Sequence, residues 1–260
     1  MTREEEIVAR SNAFRAQYRA DTPAWYRGEM HLAFTLVFTF GVILYCASRL
    51  QQPSWLEWVG VVLPMFLFGN WAEWAAHRYL LHSPKSLLKS AYKRHVNTHH
   101  QFFSHKTLDY HGHRDWRALL FPPFAPVLFV VAALPPALLL GAVWTPNTGY
   151  IAMLTMAAYF LMYEGLHTLS HIEHPLLDRL PLVNTVRRMH VLHHNPDFMH
   201  TRNFNLTFPI CDALFGTSDL DKGVIGTLFN GMSDAARKPE DRARVEAQQS
   251  ERGRAAARSL

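Results

Sequence analysis

The sequence predicts an all-α integral membrane protein, with a four-helix membrane core and a helical cap on its cytoplasmic side. Three observations predict it. Long stretches carry no charge at all. The charged residues crowd between and beyond those stretches. The histidines, 16 of 260 residues, gather where the apolar runs end. At 49% hydrophobic the chain has ample material for a core, which excludes global disorder. Two cysteines, Cys46 and Cys211, are too few for a disulfide scaffold or a four-thiolate metal site.

The first 29 residues, opening TREEEIVARSNAFRAQYRAD, are charged and helix-periodic, and form a cytoplasmic N-terminal segment. Ile7, Phe14 and Tyr18 share one face, suiting a helix that lies in the membrane interface or a solvated one. No cleavable leader is evident, because this charged stretch separates the N-terminus from the first apolar run. The membrane domain spans residues 30–220. Met30 to Ser48 is a 19-residue run without Asp, Glu, Lys or Arg, and Trp58 to Ala72 is a second run. Ala118 to Tyr163 is 46 residues long and equally uncharged. A helix needs roughly 20 residues to cross about 30 Å of hydrocarbon, so this third run holds two crossings. Thr145-Pro146-Asn147-Thr148-Gly149 provides the turn between them. Four buried helices of a soluble protein would not stay uncharged for so long.

Orientation follows from Lys and Arg. Five lie in residues 1–30, one (Arg49) between the first two spans, eight in 75–117, none at the 144–149 turn and twelve in 164–260. Alternating sides put every heavy count on one face, which should be cytoplasmic, with both termini. The net charge of +5 is thereby accounted for without nucleic acid. The expected location is a multi-pass position in the cell (inner) membrane or its equivalent. Residues 221–260 are rich in charge and Ala and read as a mobile or weakly helical cytoplasmic tail.

Ten histidines form four groups: His77 and His82 after span two; His95, His99 and His100; His167 and His171 after span four; and His190, His193 and His194. Residues four apart share a helix face, as in His95/His99, His167/His171 and His190/His194. His77 and His82 are five apart, so their helix must end or distort, and Ser83-Pro84 is a natural stop. Four segments can thus aim imidazoles at one place. Neutral imidazole suits iron, zinc, copper and nickel. Ten ligands exceed one tetrahedral zinc, whereas two metals with about five each would use them all. A single catalytic zinc with the other histidines structural is the alternative. His31, His105, His111, His113, His174 and His200 suit capping or loop roles better. Glu73 lies four before His77 and Glu164 three before His167, placing each to orient an imidazole.

This pattern resembles the fatty acid hydroxylase superfamily, the membrane group that includes sterol desaturases and fatty acid 2-hydroxylases. The resemblance covers roughly residues 65–220 and rests on the order and spacing of the histidines. It rests also on Arg202-Asn203-Phe204-Asn205 and Cys211-Asp212-Ala213-Leu214-Phe215-Gly216-Thr217. Asn205 stands where Gly is common and Cys211 where Trp is common. Three residues separate His95 from His99, where many members have two.

The resemblance implies an O2-dependent diiron monooxygenase that hydroxylates, or desaturates, a lipid in lipid or sterol-like biosynthesis. The ten histidines would hold two Fe ions, with zinc a possible substitute. Phe66, Phe68, Trp71, Trp74, Phe160 and Tyr163 are candidates to line a chain cavity. No nucleotide-binding glycine motif and no haem or iron–sulfur cysteine set is present, so electrons must come from a separate ferredoxin- or cytochrome-like carrier. Lys85, Lys89, Lys93, Arg94, Arg187 and Arg188 would offer it a basic face, or hold anionic headgroups. A histidine-rich metal-binding protein or transporter is the alternative from another class, though transporters place ionisable groups at mid-depth rather than at span ends. Zinc-dependent lipid hydrolysis is a third reading.

Overall fold

The computed structural model describes residues 2–84 and 88–257, with side chains through residue 250. Among them there is no β-strand. The principal helices are α1 (Arg3–Asp21), α2 (Gly28–Arg49), α3 (Trp55–Ala76), α4 (Lys89–Arg94), α5 (Ala125–Val143), α6 (Pro146–Ser170), α7 (Val183–His193), α8 (Ile210–Leu214) and α9 (Pro239–Ala257). They fall into two compact units. One comprises 1–24, 73–110 and 169–260; the other comprises 25–72 and 111–168.

The second unit is the membrane part. Gly28–Arg49, Trp55–Leu81 and Ala125–Val143 are long and apolar enough to cross a bilayer. Their outward side chains are apolar too: Val37, Phe40, Leu44, Leu63, Leu128 and Leu138 are all exposed. A surface of that kind is stable against lipid and not against water. α6 has 25 residues, but Thr148, Thr155, Glu164 and His167 dilute its apolar character. It is the most enclosed helix of the unit, with Ile151, Ala152, Met156, Ala157, Tyr159 and Phe160 all buried. A helix wrapped by protein need not be apolar on every face. The unit's core joins Cys46, Val61, Met65, Ala133 and Ala137 to the α6 residues Ile151 to Met156. The α5–α6 turn falls at Thr145-Pro146, where Thr145 and Asn147 donate to Glu57. The hairpin closes tightly at Gly149, whose Cβ would lie 2.8 Å from the Ala137 carbonyl oxygen.

The first unit is more polar. Thr2 and Glu5 form a capping box that starts α1, with three Glu in its first turn. Phe14 and Tyr18 stack, and Tyr18 meets Phe102 edge-on with centroids 5.6 Å apart. Ile7, Phe14 and Tyr18 are half-buried. The tail differs from expectation. It is helical over α9 and tied down by Asp241, buried and ion-paired with Arg202 at 2.6 Å, and by Gln248 beside Asn195.

Candidate metal centre

Two π-turns shape the centre. One covers His77–Leu81 directly after α3, the other His95–His99 directly after α4. In each, an i to i+5 hydrogen bond closes the turn: the His82 N–H donates to the His77 carbonyl at 3.1 Å, and that of His100 to His95. This wider turn brings residues five apart into line. The distortion expected near His82 is thus a π-turn spanning the whole pair. It also re-sorts the second group, aligning His95 with His100 rather than with His99.

Five imidazoles converge as a result. His77, His82, His95, His100 and His193 place ligand atoms within 4.8 Å of one another, all buried. Nε2 of His77 is 2.9 Å from that of His95, and Nε2 of His82 is 3.0 Å from that of His193. His99, His171 and His190 form a second buried set. The Nε2 atoms of His171 and His190 lie 2.9 Å apart, and that of His194 lies 3.0 Å from His190. His167 is buried one helical turn before His171, at the end of the second unit. Each His-His dipeptide therefore forks. His100 and His193 belong to the first set and His99 to the second, with His194 beside it through its contact with His190. Consecutive helical residues point about 100° apart, which makes the division natural.

The tautomers are fixed by backbone carbonyls, which can only accept. In the first set, Nδ1 of His77 donates to Phe204, and Nδ1 of His193 to Arg202 at 2.8 Å. In the second, Nδ1 of His171 donates to Leu108 at 2.8 Å, and Nδ1 of His194 to Phe103. A neutral ring with its proton on Nδ1 presents a bare lone pair at Nε2. Burial, before any other cause, pushes His95, His100, His171, His193 and His194 well below the ordinary histidine value. Several bare lone pairs about 3 Å apart repel one another unless a cation sits among them. The donor set fits metal ions of the imidazole-binding class.

The carbonyls are themselves held. Asp212, fully buried, accepts the N–H groups of Phe204 (2.9 Å) and Asn205 (2.7 Å) and the Thr217 hydroxyl (2.6 Å). Glu73 accepts the N–H groups of Leu206 and Thr207 and the Thr207 hydroxyl. Glu73 acts on His77 through this loop. Asn203 takes a left-handed backbone (φ 58°), which Asn tolerates, and bonds both Asp219 and the Met189 carbonyl. On the other side, Arg15 of α1 donates to the carbonyls of Phe102 (2.7 Å), Thr107 and Asp109 (2.9 Å), fixing the loop that carries Phe103 and Leu108. Sequence reading missed Arg15, which looks like any charged residue of a polar helix. It quoted Asp212 without a role.

The basic residues beside the fourth histidine group differ from expectation. Arg187 and Arg188 are buried and do not form a docking face. Arg187 binds Asp178 and the Leu169 and Ile172 carbonyls, and Arg188 forms a two-pronged pair with Asp219 at 3.1 and 2.7 Å. Lys89 and Lys93 are exposed, and Lys85 lies outside the described residues. Glu164 accepts the Phe121 N–H at 3.1 Å. His31 donates to the Phe121 carbonyl and accepts from Tyr26, a structural role. His200 is exposed, with its ring 5.3 Å from that of His82. Trp74 is a packing residue, bonded to Thr217 and tilted against Phe215 with centroids 4.6 Å apart, while Phe68 and Trp71 are exposed.

The fatty acid hydroxylase family model matches residues 61–217, more than half of the chain and every one of the ten histidines. The chain belongs to the fatty acid hydroxylase family. Membership makes this fatty acid hydroxylase relative an oxygenase-type membrane enzyme, and its histidine clusters fit a metal site. No curated protein and no solved structure matches it.

Proposed function

We propose that this family member is an O2-dependent hydroxylase of a membrane lipid that holds two iron ions, one in each histidine set. The observation that carries the reading is the gathering of buried imidazoles into two sets, His77, His82, His95, His100 and His193 in one and His99, His171 and His190 in the other. Bound iron, given O2 and two electrons, supplies an oxidant able to take hydrogen from an unactivated C–H bond, which no acid/base pair can do. The chain's own residues hold the imidazoles neutral and oriented. The Phe204, Arg202, Leu108 and Phe103 carbonyls fix Nδ1–H, and burial excludes water from the site. Zinc suits the same ligands and can replace iron on overexpression, but has no redox chemistry.

Domain limits of 30–220, a fourth crossing by α6, and cytoplasmic termini in a cell inner membrane complete the proposal. His77 and His82 follow the end of α3, and His167 sits in the last turn of α6, where an acyl or sterol-like substrate can arrive from the bilayer. Electrons come from a separate ferredoxin- or cytochrome-like protein, for which exposed Lys89 and Lys93 offer positive charge. The test is lipid analysis of cells with and without the gene under 18O-labelled oxygen. A lipid that gains one labelled oxygen only when the gene is present supports the reading. A gene-dependent product without label rejects hydroxylation, a new double bond pointing to desaturation and altered metal uptake to transport.

A further inference from the structure

Within the second unit, α2, α5 and α6 leave an open apolar groove of about 720 Å³. Val37, Gly41 and Tyr45 line it from α2, Leu134 and Leu138 from α5, and Tyr150 from α6. That volume falls within the range of small-ligand sites. None of the six aromatic residues expected to line a chain cavity borders it. On α5 the lining runs from Val130 to Gly141, roughly 16 Å at the helical rise. This is about half of a 30 Å hydrocarbon layer, the depth of one leaflet. On α6 the lining stops at Met153, roughly 21 Å along the helix before His167. The groove is therefore remote from His167, the one histidine of the ten in its unit.

One end of the groove is polar. The rings of Tyr45 and Tyr150 meet edge-on with centroids 6.5 Å apart. Arg49, one turn beyond Tyr45 and exposed at the end of α2, hydrogen-bonds the side chain of Tyr150. Tyrosine and arginine together at a span end mark the level of the lipid headgroups. The nearby carboxylate, Glu57, is engaged by Ser54, Thr145 and Asn147. One turn in from Tyr45 the floor is open, since a Cβ added to Gly41 would meet nothing within 4 Å.

We propose that this groove is a binding site for an anionic phospholipid, with one acyl chain along Gly41 and the phosphate at Arg49 and Tyr150. The lipid is a structural ligand at the end of this unit away from His167, and the proposal does not depend on the reaction. Leaflet-deep length argues for a chain, and the lone basic residue of this end argues for negative charge in its headgroup.

The full-length protein in nanodiscs of mixed phosphatidylcholine and phosphatidylglycerol tests this, by native mass spectrometry of lipids retained on release. Wild type is expected to keep phosphatidylglycerol in preference. Arg49→Gln is expected to reduce that preference about fivefold, the order of one basic residue at an anionic surface. Gly41→Trp, which fills the groove, is expected to abolish retention of both lipids with metal content and helicity unchanged. Equal retention in wild type and Gly41→Trp would overturn the proposal, as would the absence of a headgroup preference in wild type. A dimer that Gly41→Trp dissociates would overturn it too, assigning the groove to a second copy of the chain. Should the tryptophan variant fail to fold, the Arg49→Gln comparison decides alone.

Discussion

Glu73 and Asp212 divide between them the four consecutive backbone N–H groups of Phe204, Asn205, Leu206 and Thr207. One carboxylate sits in the last turn of a membrane helix and the other on a short helix far along the chain, yet both act on one loop. Held this way, the loop turns the Phe204 carbonyl onto His77 and the Arg202 carbonyl onto His193. Asp212→Ala strips partners from two buried N–H groups and a hydroxyl, and is expected to destabilise by roughly 3 kcal/mol. It is also expected to weaken metal in the first set before the second. Thermal unfolding together with metal analysis checks both. A variant that loses neither would show that the loop orients nothing.

Arg15 plays the corresponding part for the second set. Its side chain is buried and reaches three carbonyls of the 102–109 loop. Arg15→Gln is expected to cost about 3 kcal/mol, as loss of charge-assisted hydrogen bonds does, and to release metal from the second set preferentially. Arg15→Lys restores charge but not the fork of donors, so partial rescue is expected. Equal metal content in all three proteins would remove Arg15 from the site.

Acid is expected to destabilise the metal-free protein as pH falls below about 6.5, and the sign follows from proton uptake. His95, His100, His171, His193 and His194 have folded values well below their ordinary 6.5. In that range the unfolded chain binds more protons, so stability drops as pH falls. Asp212 works the other way. Burial raises it from 3.8 to about 6, so between those values the folded chain binds more protons. Its contribution rises as pH falls through that window, by at most about 3 kcal/mol. Five histidines outweigh one aspartate. Asp212→Asn is expected to steepen the acid loss, read from apparent melting temperatures between pH 4 and 8. A shallower acid loss in that variant would reverse the assignment.

Much of this was legible in the sequence. Uncharged runs and the Thr145-Pro146 turn marked α2, α3, α5 and α6, because hydrocarbon excludes charge without regard to tertiary detail. The ten histidines stood out by number and spacing. How they sort did not, because i,i+4 spacing assumes an α-helix and the π-turns at His77 and His95 change the period. The carbonyl anchors were hidden for another reason. His194 and Phe103 are 91 residues apart, and His77 and Phe204 are 127 apart. Counting charges also misplaced Arg188, whose partner Asp219 lies 31 residues away and removes it from the surface.

The central claim is that the histidines form two metal sites rather than one. The most direct test is metal analysis of gently purified protein beside His193→Gln and His194→Gln, neighbours in the chain that face different sets. Wild type is expected to hold two metal ions per chain, and each variant to lose one, from a different set. One ion or fewer per chain in active wild type, or loss of all metal from either variant, would contradict two sites.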